Sequence, residues 1–204
     1  MPHRTSASHP LQVAAVAAGR GAIGITLCPG KHGDSWTGPP WARDMELDLG
    51  VIVAWGATTV VTLIEAHEFE LLRVEALPDA IRTAGMEWLH FPIVDCGAPE
   101  ATDDETWDAL SAALCAKLRN GDRILVHCRG GLGRAGLVAA ALLVEIEGLD
   151  AHRAIAAVRA VRPGAIETLP QENWVFRRSA QLKSRMNGAG DVATPSPTGA
   201  LARE

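Results

Sequence analysis

The sequence lacks a positive balance of charge, a long apolar run and a disulfide-like spacing of cysteines, and it contains no tyrosine at all. Its formal net charge is −5, so no overall basic field is present to recruit nucleic acid or an anionic membrane, and positive charge must act locally. No stretch approaches the roughly 20 apolar residues that cross a bilayer. The four cysteines, Cys28, Cys96, Cys115 and Cys128, are spaced neither as a disulfide framework nor as a paired metal knuckle, which points to a reducing cytoplasm. Internal repeats and a second domain are also missing. Early in the chain, LQVAAVAA follows His3, Arg4 and His9 and imitates a signal peptide. It is short, weakly hydrophobic and runs directly into GAIGITL, so it reads as a first strand.

What is present is a chain of 204 residues, 48% hydrophobic, enough for one domain with a full core. Residues 44–55 have helical apolar spacing up to Gly56, and TTVVTLI at 58–64 is rich in β-branched residues. A helical region over 68–84 is broken near Pro78, MEWLHFPIV reads as a strand ending at Asp95, and 104–119 is amphipathic. RILVHC is a buried strand, and GLVAAALLVEIEG, AHRAIAAVRAVR and QENWVFRRSAQLKSR are helices. This alternation predicts an α/β fold, a three-layer sandwich with a mainly parallel central sheet. The boundaries are an N-terminal segment 1–19 holding the first strand, a domain over 20–186, and a tail over 187–204 whose composition is that of a disordered segment.

The run ILVHCRGGLGRAGLVAAALLVE carries the chemistry. A strand empties into a glycine-rich turn and a helix follows, so the backbone N–H groups of residues 129–134 can point inward and the helix start adds unsatisfied donors. Such a cradle suits a phosphate dianion and equally a thiolate. Cys128 stands at its beginning, where those donors and Arg134 favour the thiolate. Gly130, Gly131 and Gly133 give the turn freedom, and Arg134 offers a planar fork to two phosphoryl oxygens. A nucleotide loop is excluded because the Gly-Lys-Ser/Thr ending is missing. The bland alternative is a buried cysteine before an ordinary strand-to-helix turn.

HCRGGLGR closely resembles the signature loop of cysteine-dependent phosphatases of the tyrosine and dual-specificity superfamily. GITLCPGK, HFPIVDCGAPE and PGAIETLPQENW resemble, in order, segments of its kinase-associated phosphatase branch, also called the cyclin-dependent kinase inhibitor 3 family. The resemblance covers about residues 20–180. It implies a protein tyrosine phosphatase-like fold and hydrolysis of phosphotyrosine, with phosphoserine or phosphothreonine second, through a phosphocysteine on Cys128. Arg134 and the loop residues His127, Arg129, Gly130, Gly131, Leu132 and Gly133 would hold the substrate, with no metal and no organic cofactor. Expelling an alkoxide or phenolate requires a proton, and Asp95, between a strand and a Gly-Ala-Pro loop, matches the family's mobile acid. Its bland use is to turn the chain at a strand end. Asp103, Asp104 and Glu105 are alternative acids that also suit the start of the next helix. Gln171, with Glu167 and Thr168, matches the segment that positions the hydrolytic water; otherwise it is an exposed glutamine at a helix start.

One departure follows Arg134. The superfamily has a serine or threonine there whose hydroxyl stabilises the departing thiolate, and this chain has Ala135. A lost hydrogen bond to a charged group costs roughly 1.5–3 kcal/mol, which predicts slow turnover or a second donor elsewhere. The missing tyrosines remove the recognition loop that deepens the pocket of strict phosphotyrosine enzymes, so a shallower dual-specificity pocket is expected. Arg129 either favours highly anionic substrates such as phosphoinositides or is a solvated loop arginine. Alternatives from other classes are a pseudophosphatase that binds phosphorylated partners without turnover, and a sulfur-transfer or arsenate-reducing enzyme with Cys96 or Cys28 as second thiol. Cys28 and His32 are too few for a structural zinc site. Trp36, Trp41 and Trp55 read as packing residues. The expected partner is a phosphorylated protein substrate, with no nucleic acid and no membrane, and the oligomeric state is unknown from sequence.

Overall fold

The computed structural model describes residues 3–35 and 38–190. Its strands are β1 (Ala14–Ala18), β2 (Gly21–Leu27), β3 (His32–Gly33), β4 (Trp41–Ala42), β5 (Thr59–Thr62), β6 (Glu87–His90) and β7 (Arg123–Cys128). The helices are α1 (Met45–Trp55), α2 (Ala66–Leu71), α3 (Leu77–Thr83), α4 (Asp104–Asn120), α5 (Gly133–Glu147), α6 (Ala151–Val161) and α7 (Leu169–Gly190).

Five strands form one sheet in the order β1-β2-β7-β5-β6, parallel throughout except for the antiparallel edge strand β1. The two-residue strands β3 and β4 make a separate ladder. Side chains alternate across the sheet, and two cores result. Ile124, Val126 and Cys128 of β7 join Val61 of β5 and Ile23 and Ile25 of β2 against α4, α5, α6 and α7. Leu125 and Val60 face the other way, into a core with Leu49 and Ile52 of α1 and Leu77 and Ile81 of α3. Helices on both faces of a mainly parallel sheet are the three-layer α/β sandwich predicted from the alternation of elements.

Local chemistry explains most element ends. The Asp44 side chain accepts from the Leu47 N–H to start α1, and Gly56 closes it at φ 86°. The predicted break in 68–84 falls over 72–76, where Arg73 takes φ 56°, while Pro78 sits in the first turn of α3, a position that tolerates it. The strand expected over 86–94 pairs only over Glu87–His90, although the Phe91 and Ile93 N–H groups still donate to the Thr62 and Leu63 carbonyls. Helix α7 runs to Gly190, past the point at which composition alone begins the tail; residues 191–204 lie outside the described residues, as does Trp36.

This topology places β7 at the centre of the sheet, with Leu27 of β2 opposite Cys128 and Thr62 of β5 opposite His127. Helix α5 is buried from Gly133 to Val144 and leaves the loop only one exposed end.

Candidate active site

The loop between β7 and α5 turns its carbonyls outward, and cations hold them there. Lys31 Nζ donates to the Arg129 carbonyl at 2.9 Å, and the Arg162 guanidinium donates to the Gly131 carbonyl at 2.9 Å and the Gly130 carbonyl at 3.3 Å. In a planar trans peptide the next N–H points the opposite way, so the N–H groups of Gly130, Gly131 and Leu132 face the interior of the loop. The Gly131 N–H meets Cys128 Sγ at 3.3 Å, and the Gly133 N–H meets the Glu167 carboxylate at 2.8 Å. Gly131 has φ 67° and lies so close to β2 that a Cβ there would stand 2.3 Å from the Thr26 carbonyl carbon. A Cβ on Gly133 would stand 2.6 Å from Glu167 Oε2 and 2.7 Å from Gln171 Nε2.

Arg134 is 1% exposed and fixed by a residue that the sequence pattern did not single out. Glu68 of α2, itself 2% exposed, takes Nη1 at 2.5 Å and Nη2 at 3.0 Å on its two oxygens. Nη1 also donates to the Ile93 carbonyl at 3.0 Å, and Nη2 lies 2.9 Å from Asp95 Oδ1. Nε is buried with no hydrogen-bond partner among the described residues. Burial opposes ionisation of both partners, yet the mutual hydrogen bonds outweigh it: the Glu68 carboxyl lies below its ordinary range and the guanidinium is held more firmly protonated.

Asp95 stands at the loop mouth, 47% exposed at its side chain, with Oδ1 accepting from the Cys96 N–H at 3.1 Å as well as from Arg134. Cys96 takes φ 59° beside it. Two of the alternative acids are used elsewhere: Asp103 accepts from the Glu100 N–H, and Asp104 pairs with Arg177 at 3.2 Å, while Glu105 lies in the first turn of α4.

Gln171 is fully buried rather than exposed. Its Oε1 accepts from the Glu167 and Thr168 N–H groups and its Nε2 donates to the Gly97 carbonyl at 3.1 Å, so both ends of the amide are committed to backbone. Thr168 Oγ1 donates to the Cys96 carbonyl at 3.1 Å. The segment 167–171 therefore ties the acid loop to the phosphate loop. Its side chain holds the frame, and no water contact is needed to explain it.

His127 does not reach the loop interior. Alternation along β7 points it to the face opposite Cys128, where Nε2 lies 2.7 Å from Thr62 Oγ1, itself a partner of Trp88 Nε1. Complete burial, the largest influence, drives its pKa down to about 3, so it is neutral and adds no charge to the site. A direct substrate contact for His127 is thereby corrected to support beneath the sheet. Ala135 is fully buried in the core, so the Gly131 N–H is the donor found on sulfur.

A cleft of about 460 Å³ opens over the loop, and its lining includes the cations Arg4, Lys31, Arg129 and Arg162, the carboxylates Asp34, Asp95 and Glu167, and Trp41, Leu132 and Cys96. Trp41 is thus a cleft wall rather than core packing: the Arg4 guanidinium lies 4.0 Å from its ring centroid and Lys31 Nζ 5.0 Å. Trp55 packs over Gly24, whose added Cβ would lie 2.9 Å from the ring. All four cysteines are free. Burial pushes the Cys28 thiol up, as it does that of Cys96, where Asp95 adds to it. Among the described residues no group of three or more His, Cys, Asp or Glu side chains is placed to hold a metal, and no helix is long and apolar enough to cross a membrane.

The chain is similar to known proteins over most of its length. Residues 43–175 match the family model described as Swiss Army Knife protein, DSP-PTPase phosphatase domain. Cyclin-dependent kinase inhibitor 3 of Homo sapiens is 32% identical over 158 residues, 74% of this chain and 73% of that protein. The Rattus norvegicus protein of the same name is 33% identical over 149 residues, 70% of this chain and 69% of that one. The crystal structure of kinase-associated phosphatase with its catalytic-site cysteine replaced by serine superposes with a TM-score of 0.74 at 25% identity, covering 86% of this chain and 97% of that one. The active form of Tk-PTP gives 0.62 at 30% identity, covering 82% and 97%.

Proposed function

Because this chain belongs to the DSP-PTPase phosphatase domain family, we propose that it hydrolyses phosphoprotein monoesters, phosphotyrosine first and phosphoserine or phosphothreonine second, through a phosphocysteine on Cys128. The observation that carries this reading is the buried Arg134, oriented by Glu68 and left with an unpartnered Nε beside a thiol that already accepts a loop N–H. An orphan buried donor is costly, and a phosphoryl oxygen supplies what it lacks.

In the first step Cys128 Sγ attacks phosphorus in line. The S–P bond forms as the ester P–O bond breaks, Asp95 gives its proton to the leaving oxygen, and the loop N–H groups and Arg134 stabilise the equatorial charge. Substrate binding precedes this step: Nη2 exchanges Asp95 for phosphate, which frees the carboxylate to take a proton from solvent and move over the leaving group. In the second step water attacks phosphorus, Asp95 takes its proton, the P–S bond breaks and inorganic phosphate departs. The returning thiolate is met by the Gly131 N–H without a neighbouring hydroxyl, so breakdown of the phosphoenzyme limits turnover. Four free thiols suit a reducing compartment such as the cytoplasm.

The test is phosphate release from an aryl phosphate with chelator present, comparing wild type, Cys128→Ser and Asp95→Asn. Chelator-insensitive turnover that is lost in the first variant and reduced in the second is expected. A wild-type protein that binds phosphopeptide yet releases no phosphate would instead be the pseudophosphatase, the second reading, which Ala135 favours.

A further inference from the structure

The two edges of the five-stranded sheet differ. At β6, Glu87 pairs with Lys117 at 2.9 Å and the Arg82 guanidinium lies 4.8 Å from the Trp88 ring centroid, so charged side chains guard the strand. At β1 the sequence is AAVAA, with neither charge nor proline. Its hydrogen-bond phase follows from its neighbour. The Ala22 N–H donates to the Asp122 carbonyl, so even-numbered residues of β2 face β7 and odd-numbered ones face β1. Ile23 and Ile25 therefore bond to Val16 and Ala14, and Ala15 and Ala17 turn their N–H and C=O groups outward. Both residues are exposed, and among the described residues neither has a backbone partner on that side. An unguarded edge of this kind is a template for another strand.

A groove of about 770 Å³ joins this edge to the catalytic cleft. Gln12, Val13, Ala14 and Val161 line it, and it shares Leu132 and Arg162 with the cleft. Register gives the distance. Two residues before Ala14, Gln12 falls opposite Leu27, which pairs with Cys128, and the Thr26 hydroxyl donates to the Gln12 carbonyl at 2.8 Å. A strand added outside β1 lies three strand spacings from Cys128, roughly 14 Å, which an extended chain covers in about four residues. Since β1 runs opposite to β2 and β7, it starts at the end of the sheet that carries the phosphate loop. A peptide leaving the loop toward its own N-terminus thus meets β1 in the antiparallel sense, the more stable pairing.

We propose that β1 is a docking edge for the substrate: the segment N-terminal to the phosphorylated residue crosses Leu132 and Arg162 and pairs with Ala15 and Ala17 as a sixth strand, with apolar side chains turned into the groove. This rests on the phosphoprotein reading of the catalytic site. A second copy of the chain is the other occupant that an open edge attracts. A five-residue strand of alanine and valine, however, buries far less than the roughly 1,200–2,000 Å² of a stable interface. A peptide already held by its phosphate needs only a weak second contact, because that contact forms within one complex.

The experiment measures equilibrium binding to Cys128→Ser protein of a phosphotyrosine peptide trimmed to its nearest neighbours, and of peptides carrying a valine-threonine strand that begins two, four, six or eight residues before or after the phosphotyrosine. The strand beginning about four residues before it is expected to bind about tenfold tighter than the trimmed peptide, the value of one or two net hydrogen bonds. N-methylation of alternate amides in that strand should erase the gain in one phase and spare it in the other. Ala15→Pro removes an outward N–H without touching the bonds to β2, and should bring the ratio below about threefold. The methylated peptides serve if that variant does not fold. Equal binding of trimmed and extended peptides, a gain from the C-terminal strand alone, or a gain indifferent to N-methylation overturns the docking edge. A dimer in sedimentation that the extended peptide does not dissociate gives the edge to a second copy and overturns it as well. Phosphate release from an aryl phosphate by otherwise wild-type protein, measured in parallel and expected to be unchanged in Ala15→Pro, fails separately if the phosphatase reading is at fault.

Discussion

Glu68→Gln removes one charge from a buried pair and keeps its shape. Both side chains are almost wholly enclosed, with N–O distances of 2.5 and 3.0 Å, so the substitution strands the Arg134 guanidinium with the half-exposed Asp95 as its remaining counter-charge. Removing one partner of such a pair costs about 3–5 kcal/mol, and the surviving Asp95 contact puts the expected value near the lower end. With a urea slope of about 2–3 kcal/mol per molar, the unfolding midpoint falls by about 1 M. The same change frees the fork that aims Arg134, and kcat/KM toward an aryl phosphate should fall about 100-fold, as for other losses of orientation. Equilibrium urea unfolding followed by fluorescence, together with steady-state kinetics, reads both. A double-mutant cycle with Arg134→Met isolates the pair, since the double variant should recover much of the stability that Glu68→Gln loses while remaining inactive. An unchanged midpoint with unchanged kcat/KM would refute the idea that Glu68 positions the arginine. The pair also has a pH signature. The Glu68 carboxyl is held below its ordinary value of 4.5, so its stabilisation is fully present above that pH and is lost as pH falls through the depressed folded value.

Further outcomes are expected. His127 is neutral and buried with a folded pKa of about 3 against 6.5 when unfolded, so the unfolded chain binds more protons in that window. Stability should drop by up to about 1.4 kcal/mol for each pH unit below 6.5, and His127→Gln should flatten the profile of urea midpoint against pH. Ala135→Ser should speed phosphoenzyme breakdown about tenfold or more, seen as a reduced burst in rapid-quench kinetics, and identical burst and steady-state rates in the parent would count against slow breakdown. Asp95→Asn should lower kcat by about 10²–10⁴ for alkyl phosphates and far less for esters with good leaving groups; equal losses for both would remove Asp95 as the acid. Gly133→Ala should abolish turnover while leaving the far-ultraviolet circular dichroism intact, because the new methyl displaces Glu167 and Gln171.

The strand, loop and helix around Cys128 were legible because one contiguous run carries them, and the alternation of periodicities was enough for the sandwich. Residues that act across long sequence separations were not. Glu68 is one of two glutamates on a six-residue helix, and nothing in its neighbourhood distinguishes a carboxylate that ends in the core from one in water. Lys31 and Arg162 reach the loop from nearly 100 and about 30 residues away, and only their burial against carbonyls reveals what they hold. His127 could have been placed from the period-2 rule, since neighbours on a strand face opposite sides and Cys128 already occupies the functional one. Gln171 stood where the motif suggested, but its hydrogen bonds are a matter of geometry that spacing does not specify.

The outward carbonyls of the 129–131 loop have a consequence for the ions that the pocket admits. Rotating any of these peptide planes to present oxygen inward would break a bond to Lys31 or Arg162 and leave a cation and a carbonyl unmatched in a confined space. The loop is therefore latched in one polarity before any ligand arrives. A cation approaching the loop interior meets N–H hydrogens and a guanidinium in place of backbone carbonyl oxygens, and an oxyanion meets dipoles that need not turn. Charge selectivity here is a mechanical property of the fold, stored in two side chains that brace the loop's outer carbonyls.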